Sequence, residues 1–539
     1  MSAIGETNRM RRWNGWGDDS HDEPLGHVAL EFLTRLIGPG VPTRDTSFAE
    51  ALAAVPASRL LDTAGLSTDP ALRLRHARGQ SFRDWIALRF GRMGAPADGV
   101  ALPTSHAEAA QALGAATRLG AEVVPYGGGT SVVGHLDVNS SERPVVNISL
   151  ERMNRLLAFD PVTQLAHFGA GTRGPQVEAQ LGGAGYLLGH FPQSYEYSTV
   201  GGWVVTRSSG QQSLRYGRIE QLFAGGRLIT PRGEMSVGGV PASSAGPDLR
   251  ELVLGSEGRL GLLTEAIVRV RRLPEREDFH AVFFPDWEQG IEAVRCITQA
   301  GLGLSMLRLS NAIETETQLT LAGHARAIEW LRRYLRLRGS GKKPVLLLFG
   351  ATGLNREVLH ARRDALALAK QQRGVHAGRS IGKRWAAGRF LGPYLRNSLW
   401  AAGYGADTIE TAINWPQVTP LIRAIENAAR NSLAEYGERV HAFTHLSHVY
   451  AQGCSIYSTF VFRAAFSFEE NLERWQRMKR AVSEVIVAHG GTISHQHGVG
   501  VDHVPYLPAE KGALGMDLIR AAARELDPDG LMNPGKLFS

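Results

Sequence analysis

Three adjacent glycines follow the strand-like run Val123-Val124-Pro125, within Tyr126-Gly127-Gly128-Gly129-Thr130-Ser131-Val132-Val133-Gly134. A turn stripped of side chains can adopt positive φ and let a ligand approach the backbone closely. Successive N–H groups in such a turn converge on an anion, as in a phosphate or pyrophosphate nest. No Gly-Lys-Ser/Thr follows, so this is not a Walker loop, and no Gly-x-Gly-x-x-Gly opens a helix here. A tight turn between two strands accounts equally well for three glycines alone. The expectation is that the chain assembles around a dinucleotide gripped at this turn.

Composition narrows the class. At 539 residues the chain exceeds one ordinary core, so two or three domains are expected. Hydrophobic content of 43% with 21% charged is that of a globular chain. No run reaches the roughly 18 apolar residues of a membrane helix, and Val345 to Phe349 reads as a buried strand. Met1 to Arg12 carries charge without an apolar core behind it, so no signal peptide is expected. Cys296 and Cys454 make neither a disulfide framework nor a Cys-x-x-Cys pair. A cytoplasmic location is expected. The formal charge of +7 suits an anionic small molecule or contact with anionic lipid. No basic groove interleaved with aromatics calls for nucleic acid.

Along the chain, Arg11-Arg12-Trp13-Asn14-Gly15-Trp16-Gly17-Asp18 reads as an arm packed across a neighbour. Ser105 with Glu108 predicts a capping box on a helix to about Leu119, and a strand at Glu122 to Pro125 leads into the glycine turn. Val145 to Ile148 and Leu165 to Phe168 read as strands. Gly189 to Trp203 is too turn-rich for a helix and too polar for a core strand. Thr206-Arg207-Ser208-Ser209-Gly210, Ser213 to Gly217 and Gly255-Ser256-Glu257-Gly258-Arg259-Leu260-Gly261 extend the same texture, and Thr264 to Val270 is a strand. Glycines among small hydroxyl residues place donors close to a ligand. Repeated beside strand after strand, they are far more specific than one cluster. Beyond Pro274, strands are expected at Phe279 to Phe284, Ser305 to Leu309, Pro344 to Gly350, His441 to Tyr450 and Ser455 to Phe466. Asp286 is expected to cap a helix to about Gln299, and Ser467 with Glu470 another. This alternation suits an antiparallel sheet covered on one face.

The loop Pro125 to Ser131 resembles the pyrophosphate loop of the FAD-binding family typified by vanillyl-alcohol oxidase and p-cresol methylhydroxylase. The wider set is Ser198-Thr199-Val200-Gly201-Gly202-Trp203, Ser208-Ser209-Gly210, Arg215-Tyr216-Gly217-x-Ile219-Glu220, Thr230-Pro231-x-Gly233 and Gly255 to Gly258. With the arm at Arg12 to Gly17 and Ser494-His495-x-His497-Gly498-Val499-Gly500, it resembles the alkyldihydroxyacetonephosphate synthase family over nearly the whole chain. The resemblance implies an α+β protein: a two-lobed FAD-binding domain of the p-cresol methylhydroxylase type with an inserted α+β cap. The implied divisions are an arm with short helices over 1–95, the FAD domain over 96–274, the cap over 275–488, and a segment at 489–539 returning to the flavin.

By the same resemblance, Pro125, Tyr126, Gly127, Gly128, Gly129, Thr130 and Ser131 wrap the FAD pyrophosphate. Gln193, Ser194, Tyr195, Glu196, Tyr197, Ser198 and Thr199 approach the rest of the cofactor, with Thr206, Arg207, Ser208 and Ser209, and with Gly255, Ser256, Glu257, Gly258, Arg259, Leu260 and Gly261. The FAD is expected to be non-covalent, His135 being the one residue that could upset this.

Alternation in Ser455 to Phe462 puts Tyr457, Thr459 and Val461 on one face and Ile456, Phe460 and Phe462 on the other. Tyr457 matches the family's catalytic tyrosine. A phenol of reference pKa about 10 needs help to exchange protons near neutrality, and the matching His495 and His497 are the expected helpers. Gln496 stands where the animal enzymes carry a histidine, and it can hydrogen-bond but not titrate. Arg396 matches a substrate-binding arginine and is expected to clamp a phosphate. Arg308 matches an arginine needed for activity, and His190 a histidine beside the flavin. His445 and His448 with His495 and His497 lack the further ligands of a metal site, so no metal is expected. Ala325 to Arg338 reads as an amphipathic helix that could lie on anionic membrane. Arg373 to Arg389 reads as a mobile glycine loop gating the phosphate.

The implied function is replacement of the acyl chain of acyl-dihydroxyacetone phosphate by a long-chain alcohol, forming an ether lipid. Its partners would be that phosphate-bearing lipid and a fatty alcohol, with peripheral membrane contact and a homodimer left open. The alternative is an FAD-dependent oxidoreductase, such as a 2-hydroxy-acid dehydrogenase, on the same scaffold.

Overall fold

The computed structural model describes residues 11–18, 20, 24–60, 63, 65–94, 96–137, 141–322 and 325–538. Most of the Met1 to Arg12 segment read for a signal peptide lies outside the described residues. Among them, no helix is long and apolar enough to cross a membrane.

An entry helix α1 (His27–Ile37) buries Ala29, Phe32, Leu33 and Ile37. Strands β1 (Gly99–Ala101), β2 (Glu122–Tyr126) and β3 (Val145–Ser149) then form a parallel sheet in the order β1-β3-β2. Helix α2 (His106–Arg118) joins β1 to β2 and packs Ala109, Leu113 and Ala116 on that sheet's core. Ser105 caps it by accepting from the Glu108 N–H. The expected return bond differs. The Glu108 carboxylate accepts from the N–H and hydroxyl of Thr104 at 2.8 and 2.9 Å, because Thr104 offers two donors at once.

The second lobe is a five-stranded antiparallel sheet of β4 (Leu156–Asp160), β5 (Leu165–Gly169), β6 (Phe223–Thr230), β7 (Gly233–Gly238) and β8 (Leu262–Arg269), ordered β4-β5-β8-β6-β7. Against expectation, Val200–Val205 forms a helix, α3, capped by the Thr199 side chain on the Gly202 N–H. Its glycines serve close packing: a Cβ on Gly201 would sit 2.7 Å from the Ala170 Cβ.

The third unit contains β9 (Arg276–Phe284), α4 (Trp287–Gln299), β10 (Leu304–Ser310), α5 (Ala312–Leu321), α6 (Ala325–Leu337), β11 (Val345–Gly353), α7 (Asn355–Gln371) and β12 (Val375–His376). It continues through α8 (Ser380–Gly388), α9 (Leu395–Ala401), β13 (Tyr404–Asn414), α10 (Trp415–Ser432), β14 (His441–Val449), β15 (Gly453–Arg463) and α11 (Phe468–Ala488). Its seven strands pair antiparallel in the order β12-β9-β11-β10-β14-β15-β13. Ile456, Phe460 and Phe462 of β15 enter the main core with Ile425, Val482 and Ile486 of α10 and α11. Asp286 caps α4 on the Gln289 N–H, and Ser467 caps α11 on that of Glu470.

Residues 373–389, expected as a mobile loop, are instead β12 and α8. Gly374 and Gly382 are close-approach positions. A Cβ on Gly382 would lie 2.5 Å from the Phe279 carbonyl carbon, and one on Gly374 2.7 Å from the Ala369 oxygen. Ile381 and Trp385, one helical turn apart, pack on the Phe279 cluster.

The chain's last part returns to its first lobe. The Val123 N–H donates to the Leu531 carbonyl at 2.8 Å, and the Asn533 N–H to the Val123 carbonyl at 2.7 Å. Glu257 accepts from the N–H groups of Val499 and Gly500, and the Asn533 amide donates to the Glu257 carbonyl at 2.6 Å.

Candidate active site

One cavity of about 1180 Å³ runs between the lobes and the seven-stranded sheet. Its floor is the loop that ends β2, and Pro125, Tyr126, Gly127, Gly128, Gly129, Thr130 and Ser131 all line it. The loop is pressed against the segment leading into α3: a Cβ on Gly128 would lie 1.9 Å from the Tyr197 carbonyl oxygen. Gly129 takes φ +61°. Behind the loop, the Arg11 guanidinium donates to the carbonyls of Gly128 and, at 3.1 Å, Gly129. The arm expected only to pack thus holds the loop's carbonyls on the side away from the cavity. The expectation missed this because nothing in Arg11-Arg12 marks which residue turns inward.

The other expected cofactor contacts divide. Gln193, Ser194, Ser198, Thr199, Thr206, Ser208, Ser209, Glu257, Gly258 and Gly261 line the cavity. The remainder do not line it. Tyr195 stacks on Phe390 with centroids 4.7 Å apart, and Tyr197 meets Trp16 edge-on at 5.4 Å. Glu196 does not line the cavity, nor do Gly255 and Ser256. Arg207 pairs with Glu251 at 3.0 Å on the surface. Arg259 donates to the Met532 carbonyl and lies 4.3 Å over the Phe538 ring, and Leu260 belongs to the same C-terminal core. His135 lines the cavity, its Nδ1 bonded to Ser131 Oγ at 2.6 Å and its Nε2 3.0 Å from Glu257. A glycine cradle with no room for a Cβ, small hydroxyl walls and this volume fit FAD.

The register of the seven-stranded sheet assembles the polar end. Tyr457 on β15 pairs with Glu410 of β13 on one side and His445 of β14 on the other. Tyr457, Thr459 and Val461 line the cavity, as alternation predicted. The His445 ring stacks on Tyr457 at 4.8 Å, and the His497 ring stands edge-on at 6.1 Å. Burial pushes the Tyr457 phenol up to about 12, against the pull of the Thr408 hydrogen bond. Burial would also raise Glu314, but His445 and Arg308, with Nδ1 at 3.1 Å and Nη2 at 2.7 Å, hold it at about 2. Burial pushes His445 and His497 below the usual imidazole range.

His495 is not a direct neighbour of Tyr457, contrary to expectation. It is buried, with Nε2 2.6 Å from the Tyr450 hydroxyl and Nδ1 3.2 Å from Glu410. The next two residues of the turn, Gln496 and His497, line the cavity instead. The Gln496 amide donates to Glu410, which also accepts from Ser447 Oγ at 2.6 Å. Burial raises the Glu410 carboxyl, but His495, His448 and His497 outweigh that and hold it well below the usual range. Glu410, His448 and His495 bring ligand atoms within 4.8 Å of one another. Sequence reasoning passed over Glu410, one of two carboxylates, with Asp407, in the strand Tyr404–Asn414.

His190 does not line the cavity. Its Nε2 lies 3.1 Å from Ser208 Oγ, which does, and burial drives it down to about 3. Arg308, Arg384, Arg389 and Arg396 line the cavity. Beyond them an apolar arm runs between α1, α5, α6 and α8, through Phe32, Leu33, Leu319, Ile328, Leu331 and Trp385.

Residues 97–239 match the family described as FAD binding domain, and 273–537 that described as FAD linked oxidases, C-terminal domain. Alkyldihydroxyacetonephosphate synthase of Trypanosoma brucei brucei is 30% identical, the match covering 98% of this chain and 92% of that protein. The Dictyostelium discoideum protein of that name is 30% identical over 88% and 78%. A solved structure of an alkyldihydroxyacetonephosphate synthase superposes with a TM-score of 0.83 at 26% identity, covering 98% of this chain and 99% of the other.

Proposed function

We propose, on the premise that this chain belongs to the alkyldihydroxyacetonephosphate synthase family of FAD-dependent enzymes and acts in ether-lipid synthesis, that it exchanges the acyl chain of acyl-dihydroxyacetone phosphate for a long-chain alcohol. The observation that carries this reading is the continuity of one cavity. It joins a glycine cradle, a buried tyrosine flanked by histidines, a set of four arginines, and an apolar arm able to take a chain. A site for a small hydroxy acid has no use for the arm.

Pro125 to Ser131 would hold the FAD pyrophosphate through backbone N–H groups, and the cofactor would be non-covalent. When bound, FAD supplies the redox-capable ring that no side chain provides. The chain's own residues bind, orient and move protons. Arg396 would hold the phosphate. Its Nη1 donates to the Gln80 carbonyl at 2.7 Å and its plane lies 4.5 Å over Trp85, with no ion pair among the described residues. Tyr457 keeps its proton at neutral pH, so it enters as donor toward the departing carboxylate. With a phenol near 12, losing that proton at pH 7 costs ~7 kcal/mol. A return step as base therefore leans on Arg308, whose charge favours the phenolate.

The outer face of α6 would meet the membrane from which the chains come. Trp330 and Leu337 are 71% and 86% exposed, with Arg333 5.9 Å over the Trp330 ring. Ile328 and Leu331 of the same helix line the apolar arm. An indole among guanidiniums is an interfacial anchor.

The second reading, oxidation of a 2-hydroxy acid, is favoured by Gln496, which gives Glu410 a donor but no titratable proton. Supplying palmitoyl-dihydroxyacetone phosphate with hexadecanol, and D-2-hydroxy acids anaerobically in parallel, separates the two. Alkyl product without lasting flavin bleaching is expected. Bleaching by a hydroxy acid with no ether product would overturn the synthase reading.

A further inference from the structure

We infer that Arg389 is a second phosphate-binding residue of the cavity, set at the other end of the α8–α9 elbow from Arg396. The inference rests on reading the cavity as the site of a phosphate-bearing substrate.

Of the cavity's four arginines, Arg308 has its charge answered by Glu314 at 2.7 Å. Arg384 is exposed. Arg389 is half-buried, and its guanidinium makes neither hydrogen bond nor ion pair among the described residues. Aromatic faces flank it instead, with Phe191 and Phe390 centroids at 4.8 and 5.0 Å. Ring faces attract a cation weakly and leave its in-plane N–H donors free for a planar or tetrahedral oxyanion. Burial pulls the guanidinium below its usual pKa, with the Glu277 charge the largest opposing influence. The fold thus keeps a cation in a cavity wall with no carboxylate in ion-pair contact among the described residues, which is unfavourable unless an anion arrives.

The backbone there is fixed rather than loose. The Arg389 carbonyl accepts from the side-chain amides of Gln193 and Gln211, each at 3.2 Å. Gly392 packs so tightly that a Cβ would lie 2.7 Å from Gln193 Nε2. Phe390 is held by its stack with Tyr195. Arg396, seven residues on, also lines the cavity without an ion pair. A phosphate monoester carries close to two negative charges at neutral pH. Two guanidiniums with no carboxylate in ion-pair contact among the described residues, Arg389 held against the FAD lobe and Arg396 against Gln80 and Trp85, answer that charge where one leaves part of it unpaired.

The test uses FAD-loaded full-length protein and glycerol 3-phosphate, which has the phosphate but no chain, with hexadecanol as the chain-only probe. Binding of each is read from perturbation of the flavin spectrum. R389Q is expected to weaken glycerol 3-phosphate by about 10- to 100-fold while leaving hexadecanol unchanged. R389K, which keeps the stem and charge, is expected to lose less and covers the case in which R389Q fails to retain flavin. With acyl-dihydroxyacetone phosphate, KM should rise more than kcat falls. Unchanged glycerol 3-phosphate affinity in both variants would overturn the assignment, as would equal weakening of both probes or a wild-type protein that binds no phosphate monoester. Loss of glycerol 3-phosphate binding in R389Q, in a protein forming no alkyl product, would sustain Arg389 and sink the alkyl-transfer reading.

Discussion

Adding a single methyl group at Gly128 tests the cofactor cradle directly. The Cβ of Gly128→Ala would lie 1.9 Å from the Tyr197 carbonyl oxygen, 2.7 Å from its carbon and 3.1 Å from the Ser198 Cα. All three are backbone atoms, so no side chain can swing aside. Relief needs the loop and the 197–199 segment to part by roughly 1.5 Å, since unbonded carbons sit at about 3.5 Å. Overpacking of this kind costs about 1–3 kcal/mol. Because the two segments form adjoining walls, that cost falls on the FAD-bound state, weakening FAD by about 5- to 150-fold. The assay is a flavin titration of apoprotein, with thermal unfolding of the same apoprotein alongside. Gly182→Ala is the control, having nothing within 4 Å of its Cβ. Unchanged FAD affinity in Gly128→Ala, with or without a lower melting temperature, would show that the loop is only a turn.

Three further outcomes are expected. Tyr457→Phe should abolish turnover while FAD stays bound; loss of flavin on gel filtration would contradict its role as proton donor. The His190 pKa is depressed to about 3, so its neutral ring contributes stability above the unfolded value of 6.5 that is lost as pH falls toward 3. At pH 5 the loss is ~2 kcal/mol, and His190→Gln should flatten the decline of urea midpoints between pH 7 and 5. Trp330→Ser should weaken sedimentation with anionic phosphatidylserine vesicles several-fold and spare turnover of detergent-dispersed substrate; equal vesicle binding would remove α6 as the contact.

Much of the architecture was legible because strong local signals coincide with it. Asp286 heads α4, and the alternation at Tyr457 survives because one face of β15 is core and the other is cavity. Glycine was the ambiguous letter. At Gly201 and Gly382 it permits helices to touch neighbouring backbone, a cause that no local pattern separates from flexibility. The histidines were visible as a motif, yet which one meets Tyr457 depends on a turn. Glu410 had no motif at all. It matters through the strands beside it, and strand order across the sheet is a long-range property.

The pairing of Val123 with residues 531–533 has a consequence for synthesis. The strand that delivers the glycine loop is completed by residues made about 400 positions later, so its closure is among the highest-order contacts in the chain. A ribosome must release residues 531–533 before the strand that carries the flavin loop has its full set of partners. Flavin loading is therefore a readout of that closure: chains cut short of residue 531 would accumulate colourless, and yellow protein would report only molecules in which this contact has formed.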